Sequence, residues 1–231
     1  SSTTAGRDLF NGPALLSHDV TLDKEGEGPQ ILIYHTHSQE AFKDSGPQGR
    51  TIVEVGDYLA ELLTQKGYRV YHDTSVYDLQ SGVLDRSKAY NYALEGVNHI
   101  LQQNPSIQVV LDLHRDGVSE NLHMVSDING KPTAQIMFFN GLSRTPEGKI
   151  AYLSNPYLAE NLAFSLKMQL GAQAYFPGFA RKIYLKGLRY NLHLRPKSAL
   201  IEAGAQTNTF EEVKNAMEPL AQLLDMVLQG E

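Results

Sequence analysis

Ile31-Leu32-Ile33-Tyr34-His35-Thr36-His37-Ser38-Gln39-Glu40 joins a short apolar run to a cluster of imidazole and carboxylate side chains. Four large apolar residues in succession after Pro29 suit a strand buried on both faces, as inside a parallel sheet. A loop with Gly46, Pro47 and Gly49 follows. Thr51 with Glu54 three residues on forms a capping box, Ile52, Val55, Leu59, Leu62 and Leu63 fall at helical spacing, and Gly67 stops the helix. Tyr68 to Tyr71 reads as a second strand, residues 85–103 as a helix ending before Pro105, and Ile107 to Leu113 as a third, strongly apolar strand. Strand alternating with helix predicts parallel strands joined by right-handed crossovers. The second half adds a strand from Ala134 to Phe139, a helix near 157–170, a short strand from Ser198 to Ile201 and an amphipathic helix near 210–228. The expectation is a single α/β domain over residues 30–231, with a central, mostly parallel twisted sheet and helices on both faces. Residues 1–29, polar and containing Gly26 and Gly28, read as a lead-in.

Composition narrows the classes. A chain of 231 residues with 42% apolar content fits one soluble domain with a sizeable core. The net charge of −6 gives no footprint for nucleic acid, and the loose basic group Arg181, Lys182, Lys186, Arg189 and Arg195 reads as a solvated face. With no cysteine, a thiolate zinc site and a cysteine nucleophile are both excluded, so any metal must be held by His, Asp or Glu. No apolar run has the roughly 18 residues that a membrane span needs, and no signal peptide opens the chain. Ser1-Ser2-Thr3-Thr4 reads as the trimmed end of a longer protein.

Ligand sites in open α/β sheets lie at the carboxyl ends of strands. Three strands end in ionisable residues: the first in His35, His37 and Glu40, the third in Asp112-Leu113-His114-Arg115-Asp116, and the last in Glu202. A lone histidine or glutamate would mean little, but on parallel neighbours these residues converge on one edge. Acids and imidazoles gathered there without a cation would incur a desolvation cost of several kcal/mol. Two imidazoles and one carboxylate, His37, His114 and Glu40, make a catalytic Zn2+ site with an open position for water. Glu202, ending an apolar run, is placed to act as general base, with burial raising its pKa. His35, two residues from His37, should face the same side if both lie in a strand, as a supporting residue or an alternative ligand. His193 reads first as a plain loop residue and otherwise as a contact for substrate or water, while Arg115 and Asp116 orient His114, bind an anion or pair with each other.

The H-x-x-E of His37 and Glu40, followed by a distant His and a late Glu, is similar to the order in zinc carboxypeptidases. A more specific resemblance rests on Ile31 to Phe42, Val109 to Gly117 and Leu200 to Val213, with Pro156-Tyr157, Asn161-Leu162 and Arg189-Tyr190-Asn191. Together these resemble the stage II sporulation protein P family, which is related to zinc-dependent N-acetylmuramoyl-L-alanine amidases. The resemblance implies His37 and His114 as metal ligands, Glu202 as the catalytic glutamate, and an acidic ligand. Glu40 is the preferred acidic ligand, within loop reach of His37. In ordinary amidases that glutamate opens the following helix, which points to Glu54. Leu192-His193 departs from the more acidic or amide pair expected there. The resemblance further implies cleavage of the amide between N-acetylmuramic acid and L-alanine in peptidoglycan, endopeptidase cleavage of cross-links, and action on the septal wall during engulfment. It also implies a membrane anchor holding the domain on the extracytoplasmic face, and stage II sporulation protein D as partner. Two other readings compete. A carboxypeptidase-like zinc peptidase would use Arg115 or Arg195 to anchor a terminal carboxylate. A catalytically silent wall-binding module would not need Glu202 with three potential ligands.

Overall fold

The computed structural model describes residues 9–47, 49–80 and 82–231. In chain order its elements are α1 (Gly12–Leu16), β1 (Ile31–Tyr34), α2 (Ile52–Gln65), β2 (Val70–His72), β3 (Leu79–Gln80), β4 (Val83–Leu84), α3 (Ala89–Gln103) and β5 (Val109–Asp116). The second half holds β6 (Val125–Ile128), β7 (Lys131–Ala134), β8 (Ile136–Gly141), β9 (Arg144–Thr145), β10 (Gly148–Lys149), α4 (Leu158–Tyr175), β11 (Tyr184–Lys186), β12 (Lys197–Ala205) and α5 (Phe210–Gln229).

Six strands form the central sheet in the order β11-β8-β12-β5-β1-β2. β2, β1, β5 and β12 are parallel throughout, as the strand–helix alternation predicts. β8 pairs antiparallel with β12, and β11 runs parallel to β8, so one edge is reversed. The reversal has a local cause. No helix carries the chain back between β5 and β8, so it returns from the end at which β5 stopped, through the β6–β7 hairpin. That hairpin turns at Asn129-Gly130, both with positive φ (55° and 79°), the pair that two-residue hairpin loops favour. The strand expected from Ala134 to Phe139 is therefore divided between β7 and β8.

Other boundaries move for similar reasons. α3 begins at Ala89 rather than near 85, because Asp85 Oδ1 accepts the backbone N–H groups of Ser87 and Lys88 and holds a turn. Tyr68 closes the turn that follows α2, its N–H bonding Leu63 O, and β2 starts only at Val70. β12 extends to Ala205, with a register irregularity between Glu202 and Ala205. There Gly204 takes φ +64°, packed so closely that an added Cβ would stand 2.7 Å from Val213 Cγ2.

Helices cover both faces, unequally. Ile31, Ile33, Leu111, Leu113 and Ile201 pack beneath α2, α4 and α5 in the larger core. On the other face, Leu32, Tyr34 and Val110 pack beneath Ala93, Val97 and Leu101 of α3. Over β12 and β8 this second face is covered by Tyr90 and a loop bearing Tyr190 and Leu192. The lead-in is tied to the domain: Val20 and Leu22 are buried in the larger core, and Leu22 N–H bonds Leu228 O. Among the described residues no helix is long and apolar enough to cross a membrane.

Candidate active site

β1 ends at Tyr34, and the next four residues turn sharply, so His35 and His37 part company. The expectation that they face the same side does not hold, because it required the strand to continue. His35 turns toward α2, where its Nδ1 lies 2.8 Å from Leu113 O and its Nε2 2.8 Å from His72 Nε2. Burial lowers its pKa to about 4. His37 turns the other way. The turn is fixed by Asp112, which accepts Thr36 N–H at 2.9 Å and Thr36 Oγ1–H at 2.7 Å, and by Asp78, which accepts Ser38 Oγ–H at 2.9 Å.

This brings Glu40 between two histidines. Its Oε1 is 3.6 Å from His37 Nδ1, its Oε2 is 3.6 Å from His114 Nδ1, and one potential ligand atom from each residue lies within 4.8 Å of the others. Glu40 is buried, and its Oε2 accepts Arg115 N–H at 2.8 Å. Burial would raise its pKa, but the contacts with His114 and His37 outweigh it and hold the carboxyl well below the usual range. Glu54 sits elsewhere, in the capping box of α2, accepting Thr51 N–H at 2.7 Å.

Two residues to which the sequence reading gave no role complete the cluster. Asp112 Oδ1 stands 2.8 Å from His114 Nε2, although that nitrogen has no aligned hydrogen bond among the described residues. His114 thus lies between two carboxylates. Burial alone would depress its pKa, and Asp112 and then Glu40 reverse this and hold it well above its ordinary value. The signal was available: Asp112 and His114, two apart in an otherwise apolar strand, share a face. The second is Arg86, whose guanidinium ion-pairs with Glu40 and lies 3.2 Å from His37 Nδ1. Nothing local in its loop marked it.

Glu202 stands on β12 directly opposite His114 on β5. The residue is partly exposed, but its Oε2 is shielded and has no hydrogen-bond partner among the described residues. Burial, with Glu40 and Asp116 adding to it against the pull of His114, raises its pKa to about 7. Glu202, His37, Glu40, His114, Arg86 and Tyr90 line a pocket of about 310 Å3. A larger hollow of about 540 Å3, near Leu142, Asn155 and Leu158, holds no comparable set of acids and imidazoles.

The remaining candidates fall outside the cluster. Asp116 pairs with Arg181 at 2.7 Å rather than with Arg115. Arg115 lines the pocket, but its Nε donates to Ala41 O at 2.9 Å. Arg195 Nε donates to Ile107 O at 3.0 Å, at the amino-terminal end of the sheet. His193 is not in the pocket wall, and burial lowers its pKa to about 4.

The donor set fits zinc. Two imidazoles and a carboxylate converge, both oxygens of that carboxylate face ring nitrogens, and a second carboxylate backs one ring, an arrangement that calls for a cation at the centre.

The fold has solved counterparts. The structure of the CwlD amidase from Clostridioides difficile in complex with the GerS lipoprotein is similar at TM-score 0.55, with 14% identity over 87% of this chain and 96% of that one. The catalytic domain of the CD27L endolysin targeting Clostridia difficile is similar at TM-score 0.50, with 14% identity over 88% and 98%. The class defined by fold and cluster is thus the amidase type of mixed α/β domain. The model of the stage II sporulation protein P family matches residues 6–225, and the chain belongs to that family. Stage II sporulation protein P of Bacillus subtilis (strain 168) is 23% identical over 215 residues, which is 85% of this chain and 50% of that protein. The chain thus spans about half the length of that relative.

Proposed function

We propose that this domain is a zinc-dependent peptidoglycan hydrolase that cuts the amide between N-acetylmuramic acid and L-alanine. The observation carrying this reading is the convergence of His37, Glu40 and His114 with Glu202 facing them from the adjacent strand. His37, Glu40 and His114 would hold the metal, and zinc bound there supplies a Lewis acid that activates water for attack on a carbonyl. The protein's own groups do the rest. Asp112 fixes the His114 ring, and Thr36 fixes Asp112. Glu202, with a pKa near 7, accepts a proton at Oε2 and returns it to the departing amine nitrogen, so that one residue serves as base and then acid.

Membership of the family, together with the amidase-type fold, supports peptidoglycan as substrate and a role in septal wall degradation during sporulation. On this reading the domain works on the extracytoplasmic face, tethered by a membrane anchor, beside stage II sporulation protein D. Endopeptidase cleavage of cross-links at the same centre belongs to the proposal. The carboxypeptidase alternative loses support, since the guanidinium groups of Arg115 and Arg195 are engaged by backbone carbonyls. Mass spectrometry of muropeptides after digestion tests the reading. Free L-alanine amines and peptide-free glycan are expected, whereas release of terminal D-alanine alone would refute it.

A further inference from the structure

Beside the catalytic cluster lies a row of rings with no part in the chemistry above. Tyr90, 5.5 Å from the His37 ring, meets Tyr190 at 5.4 Å and 79°. Tyr190 meets Phe139 at 4.7 Å and 77°, and Phe139 meets Tyr184 at 5.5 Å and 50°. The row leads from the metal ligands to the open edge of the sheet, where Tyr184 is 43% exposed. Phe139 is itself buried with Leu192 and Leu200, so the accessible ring surface is that of Tyr190 and Tyr184.

The backbone is strained to hold Tyr190 there. Tyr190 and Asn191 both take left-handed conformations, with φ of 51° and 57°. Such residues persist only where their surroundings enforce them. Here buried amides do so: Asn191 Nδ2 donates to Tyr90 O at 2.8 Å, and Asn161 Nδ2 donates to Leu192 O at 2.7 Å. Gly141 lets the same loop approach closely, since a Cβ there would stand 2.4 Å from Leu188 O. Tyr190 covers Phe139 and Leu192 yet stays partly exposed, so the held loop also offers a fixed ring at the surface beside the catalytic pocket.

We infer that Tyr190 and Tyr184, with the buried Phe139 ring supporting both, form a saccharide subsite that seats a pyranose ring of the glycan strand next to the scissile amide. This rests on peptidoglycan being the substrate. A pyranose offers a face of C–H bonds that packs on aromatic rings, while its hydroxyls and acetamido group need polar neighbours. Lys186, whose Nζ lies 5.3 Å from the Tyr184 ring centre, supplies a donor at the open end.

The chain has no tryptophan, so Tyr190→Trp creates a single reporter that keeps an aromatic face in place. The zinc-supplemented variant is titrated with glycan strands stripped of their peptides and, separately, with free stem peptide. A saturable change in tryptophan emission is expected with the glycan and none with the peptide. By calorimetry Tyr190→Ala and Tyr184→Ala should each bind the glycan about tenfold more weakly, with Tyr190→Phe unchanged. If Tyr190→Ala fails to fold, the exposed Tyr184→Ala carries the test. A response to peptide alone, or to neither probe, overturns the subsite. The two proposals fail separately: amide hydrolysis without glycan binding sinks the subsite, and glycan binding without hydrolysis sinks the amidase reading.

Discussion

Replacing Glu202 by Gln should abolish catalysis and, above neutral pH, make the metal-free fold more stable. The fold raises this carboxyl from its ordinary 4.5 to about 7 through burial. The sign follows from proton counting. Between those values the folded state holds a proton that the unfolded state has released, so stability falls as pH rises through that window. Below about 4.5 both states are protonated and nothing is lost; above about 7 the full cost of a buried, unpartnered charge is present. The rise corresponds to about 3 kcal/mol. Glutamine keeps the shape and stays neutral, so the metal-free variant should unfold at a temperature higher by roughly 6–12 °C at pH 8, and at the same temperature at pH 4. Thermal denaturation in chelator at the two pH values reads this directly. Activity on sacculi should fall about 10²- to 10⁴-fold with zinc content retained, because Gln cannot carry the proton. An active Glu202→Gln enzyme with normal zinc, or one whose stability advantage is the same at both pH values, would refute the reasoning.

Further expectations test the rest of the site. His37→Ala, His114→Ala and Glu40→Ala should each lose zinc under a mild chelator. Glu54→Ala should keep it and lose about 1 kcal/mol of stability with its helix cap, both read by metal analysis and denaturant melts. Asp112→Asn should weaken zinc binding by about 10- to 100-fold without removing a ligand, in a competition titration, since it disturbs only the group behind His114. Gly204→Ala should destabilise the fold by roughly 1–3 kcal/mol in chemical denaturation, because its φ of +64° and the Val213 methyl at 2.7 Å leave no room for a Cβ. A neutral result there would mean that the irregularity after Glu202 is not held by sterics.

The sequence by itself determined the repeating units and the chemistry at their ends. β1, α2 and α5 stand where periodicity put them, and the start of α2 was further marked by Thr51 with Glu54, which close a capping box locally. His37, Glu40, His114 and Glu202 were legible as a set because apolar strands rarely end in imidazoles and carboxylates without a reason. What the tertiary structure decided was who meets whom. Periodicity assigns a residue to a face of its own element, but the strand order β11-β8-β12-β5-β1-β2 is a long-range choice. Only that order sets Glu202 opposite His114. Only the turn after Tyr34 sends His35 to His72 and His37 to Glu40. Arg86 and Tyr90 reach the cluster from the loop before α3 and from its first turn, which the packing of that helix on β1 and β5 brings to this end of the sheet. Apart from His37 with Glu40, these contacts join residues tens of positions apart, so no local propensity could announce them; packing the two faces of one sheet did.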